Sequence, residues 1–84
     1  MKFDVCWATQ ARAALRNIDR ESAMRILSAL TDYARSGTGD VAPLHGPLLG
    51  SFRLRVGPWR VCFKPLHGAI LVFQVQKRGD AYRG

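Results

Sequence analysis

The chain has 84 residues, enough for a single hydrophobic core and one domain spanning 1–84. Hydrophobic residues make up 48% and charged ones 23%, which excludes general disorder, and no apolar run approaches the roughly 20 residues of a membrane span. The net charge of +7 is unevenly placed: residues 1–50 carry six basic side chains against five acidic ones, whereas residues 51–84 carry seven (Arg53, Arg55, Arg60, Lys64, Lys77, Arg78, Arg83) against Asp80 alone.

In chain order, Phe3, Val5 and Trp7 alternate with Asp4 and Cys6, the period-2 pattern of a strand with one buried face. Thr9 is a candidate cap for a short helix carrying Ala11, Ala14, Leu15 and Ile18, weakened by Asn17 and Asp19. Asp19 then reads as the N-cap of a second helix, with Ala23, Ile26, Leu27, Leu30 and Tyr33 or Ala34 as its apolar stripe and Gly37 as its C-cap. The glycines and prolines between 37 and 50 predict a loop without regular structure. Three strands follow: Phe52, Leu54 and Val56 alternate with Arg53 and Arg55; Gly57-Pro58 turns; Trp59, Val61 and Phe63 alternate with Arg60, Cys62 and Lys64. After a turn at 65–68, the β-branched and aromatic run 69–76 predicts the most buried, central strand, and a polar tail, 77–84, closes the domain.

This order predicts an α+β domain: an N-terminal strand and two-helix hairpin packed on a mainly antiparallel sheet that a C-terminal three-stranded meander completes. If Phe52, Leu54, Trp59, Val61 and Phe63 meet the helices, alternation turns Arg53, Arg55 and Arg60 to the opposite face. A basic face of this kind either keeps a domain solvated or receives a polyanion, and guanidinium groups suit phosphodiesters through paired hydrogen bonds and base stacking. Cys6 and Cys62 have no partners at metal-ligand spacing and read as buried reduced thiols, with a disulfide between neighbouring strands as the alternative. The sequence opens without a charged-then-apolar leader, which predicts a cytoplasmic location. It offers no carboxylate pair, metal cluster or phosphate-cradling glycine loop, so no cofactor is expected and a metal-dependent nuclease is disfavoured.

The residues Pro43-Leu44, Gly46-Pro47-Leu48, Phe52-Arg53-Leu54-Arg55-Val56-Gly57, Trp59-Arg60-Val61 and Lys77-Arg78-Gly79-Asp80-Ala81-Tyr82-Arg83 occur in an order that resembles the RelE/ParE superfamily of bacterial type II toxins. That family's pattern is a PL.G loop, a YRLRVGDYRV hairpin and a terminal HRR..VY. The likeness runs along essentially the whole chain, and the spacing of Arg78 and Tyr82 brings it closer to the RelE branch. It implies the RelE-like microbial RNase fold, a cognate antitoxin as partner, and action as a ribosome-dependent mRNA endonuclease. An apolar groove between helices and sheet would receive an antitoxin helix or strand.

In such an enzyme the RNA 2′-hydroxyl attacks the adjacent phosphorus, and well-placed donors stabilise the growing oxyanion charge by about 3 to 4 kcal/mol each. The resemblance makes Arg55, Arg60, Arg78 and Tyr82 the candidate catalytic residues, with Tyr82 stacking on a base or orienting the sugar. Arg53, Lys64, Lys77, Arg83 and His45 are the candidate RNA contacts. The best-known RelE members carry lysine where Arg53 and Arg55 stand, and arginine, with a pKa above about 12, is a poor proton acceptor. Catalysis would then rest on electrostatics and positioning, or on help from His45 or His67; both histidines also read as solvated loop residues. Trp59 reads as core or as a stacking platform. The alternatives to mRNA cleavage are a non-enzymatic ParE-like gyrase inhibitor and a plain nucleic-acid-binding module.

Overall fold

The structure is a computed structural model and describes residues 3–78. The elements are β1 (Asp4–Trp7), α1 (Thr9–Arg16), α2 (Arg20–Ser36), β2 (Asp40–Pro43), a 3-10 turn (Gly46–Leu48), β3 (Phe52–Val56), β4 (Trp59–Leu66) and β5 (Ala69–Lys77). The five strands form one mixed sheet in the order β1-β5-β4-β3-β2, in which β1 runs parallel to β5 and every other pairing is antiparallel. Both helices pack on one face, so the α+β architecture read from the sequence is the architecture observed.

Helix α2 forms as its end signals require. The Asp19 carboxylate accepts a hydrogen bond from the Ser22 backbone N–H at 3.0 Å, and that bond, aided by the nearby positive charge of Lys77, holds the Asp19 carboxyl below its ordinary pKa. At the other end Gly37 takes the left-handed conformation, φ 76°, and its N–H closes onto the Tyr33 carbonyl at 2.8 Å. Ile26, Leu30 and Ala34 carry the buried stripe; Leu27, expected in that stripe, is instead 37% exposed. Thr9 does not cap α1. Ala8 holds the cap position without a side-chain bond, and Thr9 is the first helical residue.

The core joins Ala11, Ile26 and Leu30 to Leu54, Val61, Phe63, Ile70, Val72 and Val75 across the helix–sheet interface. Phe63 is its largest member, with ring centroids 5.3 Å from Tyr33 and 5.9 Å from Phe52. Burying a phenylalanine this completely contributes about 1.5 to 3 kcal/mol of transfer free energy.

The sheet departs from the sequence reading at two places. Residues 40–43, expected in a loop, form the edge strand β2 against β3, with Asp40 opposite Arg55 and Pro43 opposite Phe52. The preceding glycines make this possible. Gly39, at φ 151°, lies so close over the core that a Cβ there would stand 2.8 Å from Leu54 Cδ1. Pro43, at the strand's end on the sheet edge, is tolerated because no neighbour needs its N–H. The second departure is β5, which lies between β1 and β4, while β4 is the middle strand.

Phe73 is an extra residue in β5: Cys62 pairs with Gln74 and Phe63 with Val72, leaving Phe73 with no opposite number on β4. Its carbonyl instead accepts a bond from Gln10 Nε2 at 3.1 Å. Among the described residues no helix is long and apolar enough to cross a membrane.

Candidate functional site

The face of the sheet away from the helices is where strand alternation sends the arginines. Two cross-strand rows run over it: Ala42, Arg53, Cys62 and Gln74, then Asp40, Arg55, Arg60 and Gln76. Arg55 and Arg60 are direct partners, which brings their Cβ atoms to about 4.5–5.5 Å and sets two like charges side by side.

The hairpin turn at Gly57-Pro58 closes this end of the sheet. Gly57 has φ 57° and Pro58 follows it with its fixed negative φ, the sign pattern of a two-residue II′ turn. Arg78, just past β5, is drawn to the same turn: its backbone N–H donates to the Pro58 carbonyl at 2.6 Å. The result is a pocket of about 250 Å³ lined by Arg53, Arg55, Arg60 and Arg78 with Gly57, Pro58 and Trp59. Four arginines from three separate chain segments therefore line one small concavity, a composition that suits a bound phosphate group.

One carboxylate lies beside Arg53, outside the lining of the pocket. Asp40 Oδ1 lies 3.7 Å from Arg53 Nη1, which also donates to the Asp40 backbone carbonyl at 3.5 Å. Asp40 was missed in the sequence because it follows Gly37-Thr38-Gly39, and a four-residue strand with one half-buried valine, Val41, is too short to show its alternation. Among the described residues Arg55, Arg60 and Arg78 form no salt bridge.

Cys62, 4% exposed, lies within this face, and burial pushes its thiol pKa up while the charges of Arg60 and Arg53 pull it down. It is thus a buried thiol, as expected. Cys6 is exposed on β1, contrary to expectation, and both cysteines are free. Strand β5 separates them, which rules out the disulfide alternative.

The remaining candidates do not gather here. Lys64 shares the open face but stands four residues, about 13 Å, along β4 from Arg60. It lines a separate recess with Leu48, Leu49, Leu71 and Phe73. Lys77 pairs with Trp59 and lies 5.9 Å from its ring centroid, on the helix side of the sheet. Trp59 itself is half-buried and packed on the core, the first of its two readings, and it also lines the arginine pocket.

His45 lies two residues beyond Pro43, at the loop end of the β2–β3 hairpin and about 16 Å of chain from Asp40, the residue opposite Arg55. His67 occupies the β4–β5 turn, more than about 20 Å along β4 from Arg60. Tyr82 and Arg83 lie outside the described residues.

No protein-family model matches the chain, and no curated protein matches it in sequence. Its backbone is nonetheless similar to a chain of the RelBE2 toxin–antitoxin complex of Mycobacterium tuberculosis, with a TM-score of 0.81 and 23% identity over 93% of this chain and 100% of that one. This is the fold of the RelE-type toxins. The RelE-type fold recurs in the archaeal RelE–RelB complex of Pyrococcus horikoshii, at a TM-score of 0.76 and 23% identity over 94% and 98% of the two chains. It recurs again in the YoeB/ParE toxin of Agrobacterium tumefaciens, at 0.74 and 15% identity over 89% and 98%. At these identities it is the RelE-type backbone that is shared, and any function has to be argued from the residues.

Proposed function

We propose that the chain is the toxin of a type II toxin–antitoxin system and acts as a metal-independent endoribonuclease on mRNA held by the ribosome. The observation that carries this reading is the convergence of Arg53, Arg55, Arg60 and Arg78 on one pocket at the Gly57-Pro58 end of the open face.

The chemistry requires a 2′-oxygen to attack phosphorus while negative charge grows on the non-bridging oxygens. Arg60 and Arg78, fixed by the middle strand and by the bond to Pro58, are the donors that meet this charge, and Arg55 adds a third positive group beside Arg60. Proton transfer is not the strength of such a set, because arginine stays charged throughout. The rate enhancement therefore comes from holding the phosphodiester in line and from stabilising the charge that develops. Tyr82 belongs to this reading as the residue that stacks on a base, and Arg83 as a backbone contact. A cytoplasmic location follows from a ribosomal substrate.

A toxin of this kind needs an antitoxin. The groove of about 390 Å³ lined by Phe3, Tyr33, Phe52, Phe63, Pro65 and Leu66, at the end of α2, offers an apolar seat for one of its segments. The RelBE2 and archaeal RelE–RelB structures are themselves toxin–antitoxin complexes.

Induced expression followed by primer-extension mapping of cellular mRNA tests the activity. Discrete cleavage by the wild type, lost in Arg60→Ala and Arg78→Ala, is the expected result. Intact mRNA together with accumulating gyrase–DNA cleavage complexes would instead establish the gyrase-inhibitor reading. Intact mRNA, no growth arrest and steeply salt-dependent binding would leave only a nucleic-acid-binding module.

A further inference from the structure

We infer that Asp40 sets how many arginine charges the pocket offers to RNA phosphate, by retaining Arg53 for itself. This rests on the reading of the pocket as an RNA site and adds to it a residue that the fold carries on a separate strand.

Asp40 opens β2, directly opposite Arg55 on β3, yet its carboxylate is engaged diagonally with Arg53. Arg53 is held twice by the same residue, at 3.7 Å by the side-chain oxygen and at 3.5 Å by the backbone carbonyl. Its side chain is only 20% exposed, whereas that of Asp40 is 59% exposed, so the more open member of the pair is the acidic one. A phosphate arriving at Arg53 meets a negative charge already in place. Arg55, Arg60 and Arg78 have no such partner among the described residues. Among the described residues, three of the four arginines that line the pocket thus have no ion-pair partner.

Because Asp40 belongs to the edge strand β2, its backbone is placed by pairing with β3 rather than by a loop. Asp40 is a positioning residue: it orients Arg53 across the β2–β3 pairing and subtracts that charge from the surface offered to RNA.

The test is the salt dependence of binding to a non-cleavable 2′-O-methyl single-stranded RNA oligomer, followed by fluorescence anisotropy. Each phosphate contact neutralised contributes about −0.7 to the slope of log K against log salt, on top of whatever basic side chains outside the pocket contribute. Asp40→Asn is expected to steepen the wild-type slope by about 0.7, with tighter binding at low salt. In the wild-type background Arg55→Ala makes the slope shallower by about 0.7 and Arg53→Ala does not. Adding Arg53→Ala to Asp40→Asn restores the wild-type slope.

An unchanged slope in Asp40→Asn, or a loss in Arg53→Ala equal to that in Arg55→Ala, overturns the inference. If no variant binds the oligomer, the RNA reading falls by itself. The Arg53 Nη–H resonances, resolved at low temperature, then decide the role of Asp40: a shift in Asp40→Asn sustains the pairing, and unmoved resonances refute it.

Discussion

Arg60→Gln separates what the arginine pocket does for function from what it costs the fold. Arg55 and Arg60 are cross-strand partners on the open face, and two like unit charges about 6 Å apart in a water-like dielectric repel by about 0.7 kcal/mol. At an ionic strength of about 0.1 M, with a Debye length near 10 Å, screening reduces this to about 0.4 kcal/mol. Glutamine removes the charge and keeps most of the aliphatic stem that lies on the sheet. Thermal unfolding followed by circular dichroism should therefore show a midpoint about 2 to 3 °C above wild type at 0.1 M salt. At about 1 M salt, where the Debye length is near 3 Å, the gain should vanish. Under the proposed activity the same variant cleaves about 100- to 1000-fold more slowly, the usual cost of removing one oxyanion donor. A lower midpoint at 0.1 M, or a gain of equal size at both salts, would show that repulsion between these two side chains is not the term at work.

Three further outcomes follow from the fold. Gly39→Ala combines backbone strain with a methyl group 2.8 Å from Leu54 Cδ1, and urea titration should show a loss of about 2 kcal/mol; the loss should be smaller in a Leu54→Val background, where the colliding methyl is pulled back. Asp19 has a lowered folded-state pKa, so its contribution is complete above the ordinary value of 3.8 and is lost as pH falls through the folded value. Unfolding midpoints measured from pH 6 to about 2.5 should accordingly fall less steeply for Asp19→Asn, which keeps a capping oxygen and does not titrate. Of the two thiols, Cys6 should react with an aromatic disulfide reagent in the native protein, while Cys62, buried and with its pKa pushed up, should react only at the rate of unfolding.

The parts of the fold legible in the sequence are those whose local chemistry agrees with their tertiary role. The Asp19 cap, the Gly37 stop and the alternation of Phe52 to Val56 and Trp59 to Phe63 each follow from near neighbours, and they carry Arg53, Arg55 and Arg60 to one face. Other features depend on distant residues. Strand β2 exists because β3 offers it an edge, and its own residues, set among glycines and prolines, signal only a turn. The run at 69–77 conceals its alternation because the bulge at Phe73 shifts the phase, placing Val72 and Val75 on the same face three residues apart. Arg78 joins the pocket through a hydrogen bond to Pro58, a contact of no particular spacing, which only the resemblance had suggested. Lys77 shows the converse: its charge counts toward the basic total, while its strand parity puts it over Trp59 on the other side of the sheet.

The parallel pairing of β1 with β5 also has a bearing on synthesis. Strand β1 leaves the ribosome about 65 residues ahead of its hydrogen-bond partners, Ala69 to Val72. Phe3, Val5 and Trp7 have no sheet to pack on until then, and contacts of such long sequence separation slow folding through the entropy of loop closure. The arginine pocket is completed later still, when Arg78 reaches Pro58. The nascent chain therefore carries its basic segment out of the exit tunnel before it has a surface on which those charges can act together.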